Sequence, residues 1–584
     1  MALRICFVTP FSWSQQNEVN DHVRGAAAAL RRRGHTVTVI APSSRAADLL
    51  DGRKALQKDS LGEVVAIGAV VPTSLTERVG LPVGVRANLA AALAIGAFDV
   101  VHGIEPSLRS LSSTALLEAE TTTVATFFSA ERAAVSTRKH QRTKLLARVD
   151  ALLGTSSEAI DWASARFPGD YELVSIGVDT SAFVPGPKTR LIVVELAPGQ
   201  VAGARAVLRA LPALPGWELV LARTAPLTRR PTIPAALRDR ARTRSLIKPD
   251  ARRTVLADAA IFVPAPGGSP RLLLEAEARG CAIADPVGLV EQPELAAAAV
   301  ARIVDDETLR VRLGAEARAR AEAHDFARLA EHLEHVYTVA AKRRRPPAAR
   351  HNTSSDPLAD RDWIVVDLHM HTHRSHDCSI EPLALIEHAE AEGLGAIAVT
   401  DHNVFAGALE AVELARTRNL VVIPGEEVKT DNQGEVIGLF LEQEIPRGMS
   451  FTDTVAAIRE QGGLVYLPHP FDRMHAIPDP ATLHRHLPEI DVFEVYNARL
   501  LLDGYNDEAL RFAGKYGLLA GAGSDAHVLP GVGTGALRLR RFEGPEEFLL
   551  ALRTAEVLRR PKSLAYLQSL KWVAQARDKF APTG

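Results

Sequence analysis

Cysteine is scarce in this chain. Three occur in 584 residues, Cys6, Cys281 and Cys378, far apart and without CxxC spacing. They can build neither a disulfide framework nor a thiolate zinc site, and the chain reads as cytoplasmic. Long apolar runs are also missing. Leu89 to Phe98 is ten residues and is closed by Asp99, well short of the roughly 18 that a spanning helix needs, so no membrane span is expected. The opening MALRICFVTPF has neither an extended apolar stretch nor a cleavage site, and no signal peptide is expected.

Charge of one sign is not in excess overall, with a formal net charge of −2. With 47% hydrophobic and 24% charged residues, the chain is not disordered throughout, because its apolar content can fill real cores. At roughly 100–200 residues per domain, the length predicts three or four domains.

The small net charge hides an asymmetry. Residues 1–350 carry 46 Lys and Arg against 36 Asp and Glu, whereas residues 351–584 carry 22 against 34. The first part suits anionic partners and the second has the balance to hold cations. The basic runs Arg31–Arg33 and Lys342–Arg345 read as solvated surface, so nucleic-acid binding is not indicated.

The chain opens with the apolar run Ile5–Val8, a polar loop, a helical stretch from Val19 to Arg33, Gly34 and a β-branched run, Thr36–Ile40. That succession predicts a parallel α/β sheet. The runs VVAIGAVV, FDVVHG, TTTVATFF and DALLGTS continue it, and a second set begins with LIVVEL (Leu191–Leu196). Two α/β domains in tandem are expected. The segment AKRRRPPAARHNTSSDPLADRD (341–362) replaces apolar periodicity with charge, Pro, Ser and Asn, as a linker does. The expected boundaries are 1–185, 186–340, a linker at 341–361, and 362–584.

Beyond the linker, one residue chemistry recurs at strand ends. DLHMHTHRSHDCS follows the apolar strand Ile364–Leu368 and places His369 and His371 two residues apart, hence on one side of an extended strand, with Asp377 in the loop. AIAVTDHN brings Asp401 and His402, VVIPGEEV brings Glu426 and Glu427, GLVYLPHP brings His469, and AGAGSDAH brings Asp525 and His527. Sites in α/β sheets and barrels form at the carboxyl ends of parallel strands. Nitrogen and oxygen ligands of this kind suit divalent metals, and so many of them need more than one ion. Such a site can generate hydroxide near neutral pH and clamp phosphoryl oxygens.

These motifs, HMHTHRSHD, TDHN, PGEEV, LPHPFD and GSDAH in this order, resemble the polymerase and histidinol phosphatase (PHP) family of metal-dependent phosphoesterases over about residues 362–584. The resemblance implies a distorted (β/α)7 barrel and two or three divalent ions, manganese, zinc or iron. By position it assigns His369, His371, Asp377, His402, Glu427, His469, Asp525 and His527 as metal ligands, with Glu427 bridging. A further ligand, commonly His, is expected on the next strand, where GEVIGLF offers Glu435 instead. Asp401 is expected to orient His402 or a water. Arg473, Asn497 and Arg499 are the candidates for gripping phosphate, for which a bidentate guanidinium is suited. The implied reaction is hydrolysis of a small-molecule phosphate ester; relatives act on histidinol phosphate, nucleotides and nucleic-acid ends.

The first 345 residues resemble a GT-B glycosyltransferase of the mannosyltransferase-like group, with twin Rossmann-like domains. The carriers are DHVRGAAAALRRRGHTVTVIAP, FDVVHGIEPS, DALLGTSSEA, SIGVDTSAFVPG and LLLEAEARGCAI, and HDFARLAEHLEHVY resembles the helix that crosses back to the first domain. The family's working parts are altered. The loop after the first strand reads SQQNEV, without glycine. Phe128 stands where a catalytic His is expected, VELAPGQVAG lacks the Gly-Arg and Lys that meet a diphosphate, and Gly267 replaces the first of two glutamates while Glu275 keeps the second. Glu275 is then expected to interact with its helix N-terminus.

The leading expectation is a metal-dependent phosphoesterase joined to a noncatalytic glycosyltransferase-like region that senses a ligand, such as a nucleotide sugar, or dimerises. The alternatives are a bifunctional transferase and phosphoesterase, or a binding protein whose metals are structural.

Overall fold

The computed structural model describes residues 2–72, 78–80, 84–128, 138–197, 201–224, 228–284, 294–344, 356–560, 562–563 and 569. Most of the expected linker, residues 345–355, lies outside them, as do the last residues of the expected C-terminal domain and part of the VELAPGQVAG stretch. The chain divides into two compact units. One comprises residues 1–145 with 149–340, and the other residues 341–584 with 146–148.

The first unit holds two parallel sheets, each with its earliest strand in the interior. The seven-stranded sheet runs Val64–Ala66, Thr36–Ala41, Arg4–Val8, Val100–Ile104, Thr122–Phe127, Ala151–Gly154, Tyr171–Leu173. The five-stranded sheet runs Ala241–Ser245, Glu218–Arg223, Leu191–Leu196, Ala259–Val263, Ala282–Ile283. In each, the chain leaves the first strand in one direction and later crosses to its other side, which opens a crevice at that strand's carboxyl end. These are the twin Rossmann-like sheets expected from the sequence.

The helix Phe326–Ala341 returns to the first sheet. Phe326, Leu329, Leu333, Val336 and Tyr337 share one core with Ile5, Phe7, Val23 and Val39. Its approach needs glycine: a Cβ on Gly25 would lie 2.0 Å from the Phe326 ring. The Tyr337 hydroxyl meets His102 Nδ1 at 2.8 Å, and Glu334 holds Arg33 and His35.

The second unit is a barrel of seven strands: Trp363–Met370, Ala396–Val399, Val421–Lys429, Glu435–Leu439, Leu464–Leu467, Val492–Asn497 and Leu519–Gly523. Closure comes just past the last strand, where Met370 and Ala526 form a parallel bridge, Asp525 N–H donates to the His369 carbonyl at 2.7 Å and His371 N–H to the Ala526 carbonyl at 3.2 Å. Two antiparallel strands, Gly535–Arg540 and Glu556–Arg559, extend the sheet beyond Trp363–Met370.

One barrel strand departs from a regular (β/α) repeat. Glu435–Leu439 is antiparallel to both neighbours and follows Val421–Lys429 as a hairpin, with Lys429 opposite Glu435. Its amino end therefore lies where the parallel strands have their carboxyl ends. Alternate residues then divide the packing: Val366, Leu368, Ala396, Ala398, Tyr466 and Val492 belong to one core, while Ile397, Val399, Val465, Leu467 and Phe493 pack with the helical residues Leu385, Ala408, Ile458 and Phe512.

Candidate metal centre

The barrel's strand ends bring the expected residues together around one carboxylate. Glu427 Oε2 lies 3.2 Å from His369 Nε2, 3.1 Å from His402 Nδ1 and 3.4 Å from His371 Nε2, and its Oε1 lies 3.0 Å from His469 Nε2. On the other flank, Asp525 Oδ1 is 3.4 Å from His371 Nε2, and Asp377 Oδ2 is 3.0 Å from His527 Nε2. Glu435 joins from the reversed strand, 3.7 Å from His469 Nε2 and 4.0 Å from His402 Nδ1. The His-to-Glu replacement read in the sequence thus keeps a donor at the cluster.

These side chains form overlapping triads whose donor atoms lie within 4.8 Å of one another: His371, His402 and His527; His369, His371 and Asp525; His369, Glu427 and His469; His402, Glu427 and Glu435. The shared members make a multinuclear arrangement chemically reasonable, with Glu427 central.

His371 provides the sharpest test of whether a cation fits. Ser375 Oγ gives its single proton to Asp401 Oδ1 at 2.6 Å, so toward His371 Nδ1, 3.2 Å away, it accepts. Nδ1 then carries the imidazole proton. Burial, with the nearby His527 and His402, holds His371 well below the usual histidine range and hence neutral. Its fully buried Nε2 makes no hydrogen bond among the described residues and directs a lone pair toward Glu427 and Asp525. A lone pair opposed to two carboxylates is the donor set of a divalent cation, and the residues fit one.

The other groups respond to the concentrated negative charge. Burial opposes protonation of His369, yet Glu427, Asp525 and Glu494 raise it well above the ordinary value. Against the same opposition, His402 and His469 rise to about 9, both chiefly through Glu427. Glu427 is held well below the usual carboxylate range despite burial, by His369 and His402, and Asp525 likewise by Arg499 and His369.

Asp401 has three donors. It accepts from Thr372 N at 2.7 Å, Thr372 Oγ1 at 2.6 Å and Ser375 Oγ. Through Ser375, which also accepts the His402 backbone N–H at 3.0 Å, it fixes His371 instead of the His402 ring. Of the phosphate candidates, Arg499 reaches the cluster: its Nη1 is 3.1 Å from Asp525 Oδ1 and 2.9 Å from His527 Nδ1. Asn497 Nδ2 donates to Glu494 at 3.1 Å and to Asp525 Oδ2 at 3.3 Å. Among the described residues, Arg473 contacts Glu508 at 3.9 Å and the Tyr505 ring at 5.5 Å.

Sequence reasoning missed Glu494, a buried carboxylate bonded to His369 Nδ1. It lies mid-strand in VFEVYN, and a lone acidic residue between apolar neighbours was the available signal.

The first unit has its own polar crevice. Glu195, at the end of the interior strand of the second sheet, accepts from Ser269 N at 2.7 Å and Ala265 N at 3.1 Å. A Cβ on Gly268 would lie 2.1 Å from its Oε2. Glu275, 1% exposed, does not serve its helix N-terminus as expected; Arg252 Nε at 2.6 Å and Arg271 Nε at 3.0 Å hold it. It is the sixth residue of the helix Pro270–Ala278, too far along for the terminal amides. Phe128 packs edge-on against His22.

A histidine- and carboxylate-lined centre at the end of an α/β barrel defines a candidate metalloprotein, and the comparisons agree. Residues 367–501 match the PHP domain and residues 503–557 a PHP-associated domain, while residues 19–182 match Glycosyltransferase Family 4. An uncharacterized protein of Methanocaldococcus jannaschii is 35% identical over 214 residues, 34% of this chain and 85% of that protein. Through its C-terminal unit, the chain belongs to the PHP family.

The N-terminal region is similar to a phosphatidyl-myo-inositol mannosyltransferase of Propionibacterium freudenreichii, 31% identical over 166 residues. That match covers 28% of this chain and 42% of the transferase, so this chain spans less than half of it. Among solved structures, a glycosyltransferase of Rickettsia africae aligns with a TM-score of 0.40 at 13% identity, over 58% of this chain and 98% of that one. Among the described residues, no helix is long and apolar enough to cross a membrane.

Proposed function

We propose that the C-terminal barrel is a metal-dependent phosphoesterase that hydrolyses a small-molecule phosphate ester with two or three manganese, zinc or iron ions. The observation that carries this reading is the buried His371 Nε2, without a hydrogen-bond partner among the described residues, facing Glu427 and Asp525 in a carboxylate-rich cluster. His369, His371, Asp377, His402, Glu427, Glu435, His469, Asp525 and His527 would hold the ions, with Glu427 as the shared ligand.

Bound divalent ions supply Lewis acidity toward phosphoryl oxygens and lower the pKa of the attacking water. The chain's own residues do the rest. Asp401, acting through Ser375, keeps the proton on His371 Nδ1 and Nε2 available. Arg499, anchored on Asp525, presents its guanidinium to the phosphoryl group, and Asn497 steadies that anchor. Arg473, held by Glu508 and the Tyr505 ring, is the second guanidinium assigned to the substrate.

For the N-terminal region, residues 1–185 and 186–340, we read a glycosyltransferase-like fold that no longer transfers sugar. Three arrangements support this: an aromatic side chain at position 128, an internal carboxylate on the amides of Ala265 and Ser269, and Glu275 committed to two arginines. The likeness to mannosyltransferases favours the bifunctional alternative, with a nucleotide sugar as its ligand.

Hydrolysis by full-length protein of a panel of esters, read as phosphate release from monoesters and as release of the leaving alcohol from diesters, after chelation and again after each metal is restored, tests the phosphoesterase. Activity that vanishes on chelation and returns with one of the metals is expected; metal uptake without release from any ester would favour a structural centre.

A further inference from the structure

We infer that Glu494 is the positioning residue of the metal centre, fixing two of its histidines by their far sides. This rests on the metal-centre reading above. Glu494 is 1% exposed, and a carboxylate so buried must be satisfied by donors. Four supply it. Oε1 accepts from the Tyr466 hydroxyl at 2.8 Å and faces His369 Nδ1 at 3.1 Å. Oε2 accepts from the His469 backbone N–H at 2.6 Å and from Asn497 Nδ2 at 3.1 Å.

Each contact has a consequence at the cluster. Both nitrogens of His369 face carboxylates, but Glu494 keeps the proton on Nδ1, on the side away from the cluster, so that a cation held at Glu427 would displace the proton of Nε2, 3.2 Å from Glu427, and take that nitrogen. His469 has φ +27°, a left-handed conformation that is strained in a residue with a side chain. The bond from its N–H to Glu494 pins that backbone and so aims the ring at Glu427 and Glu435. The same Asn497 amide group that meets Glu494 also meets Asp525, extending the control to a third ligand.

The fold makes room for this arrangement at one point. A Cβ on Gly523 would lie 2.3 Å from His369 Cβ and 3.0 Å from Glu494 Oε1, so the last barrel strand can pass there only as glycine.

The variant Glu494→Gln separates positioning from mere filling of space. Its amide has one acceptor oxygen, so either His369 and Tyr466 or His469 and Asn497 would face an N–H2 group instead. Tyr466→Phe is the control, because it removes a donor from the same buried network without touching either histidine. The full-length, chelator-treated proteins are titrated with Co2+, read by visible absorption, and melted in parallel.

Both variants are expected to melt below wild type, but only Glu494→Gln should lose Co2+ affinity, by about 10–100-fold. Glu494→Asp, which keeps both acceptor oxygens on a shorter arm, should fold and lose less affinity than Glu494→Gln. Wild-type affinity in Glu494→Gln, an equal loss in Tyr466→Phe, or no advantage for Asp over Gln would overturn the inference. A wild-type protein that takes up no Co2+ would instead sink the metal-centre reading, and this inference with it.

Discussion

Glu195 Oε1 accepts the backbone N–H of Ser269 at 2.7 Å, and its other oxygen takes that of Ala265. A carboxyl group of the chain itself thereby takes the amide of Ser269, the N-cap of the helix Pro270–Ala278, and that of Ala265 in the loop before it.

From this contact the first prediction concerns nucleotide sugars. Full-length protein titrated calorimetrically with GDP- and UDP-sugars should give no saturable heat. Micromolar binding that disappears in Glu275→Ala would show a working donor site and restore the bifunctional reading.

Glu195 also predicts a pH dependence. Burial pushes its carboxyl up to about 7 from the ordinary 4.5, against the two amide bonds that lower it. The folded chain therefore keeps a proton that the unfolded chain has lost between those values, and stability from this group falls as pH rises from about 4.5 through 7. The loss is bounded at on the order of 3 kcal/mol. Glu195→Gln cannot ionise, so its melting temperature should gain on wild type between pH 5 and pH 8. A difference that stays flat with pH would contradict the assignment.

The two arginines proposed for substrate should behave differently. Arg499→Ala removes a charge-assisted contact to phosphate and should cost about 10–100-fold in kcat/KM. Arg473→Ala, whose contacts are Glu508 and Tyr505, should change it far less. Steady-state kinetics on one monoester decides; equal losses would place Arg473 at the phosphoryl group.

A purely structural prediction tests the returning helix. Gly25→Ala would put a methyl group 2.0 Å from the Phe326 ring and should destabilise the protein by about 1–3 kcal/mol in chemical denaturation. An unchanged midpoint would mean that the helix Phe326–Ala341 yields there.

The sequence carried most of the metal-type residues because they stand at the ends of apolar runs, and strand ends are legible from hydrophobic alternation; Asp377, in a loop, came from the motif instead. It also carried the two Rossmann-like sheets and the returning helix. Three features depend on tertiary pairing and stayed hidden. The reversal of Glu435–Leu439, which brings Glu435 to the cluster, follows from a hairpin between two apolar runs that look alike in sequence. Asp401 reaches His371 only through Ser375, four residues from that histidine, in a turn with no signature of its own. Glu494 is 125 residues from His369, and only barrel closure makes them neighbours.

The most direct test of the account combines metal content with phosphate release in full-length protein and in the Asp525→Ala, His527→Ala double variant. Two or three divalent ions per wild-type chain, with release from at least one ester and both properties lost in the double variant, are predicted. Ester hydrolysis that persists in the double variant at the wild-type rate would contradict the account, because the activity would then lie outside the cluster around Glu427.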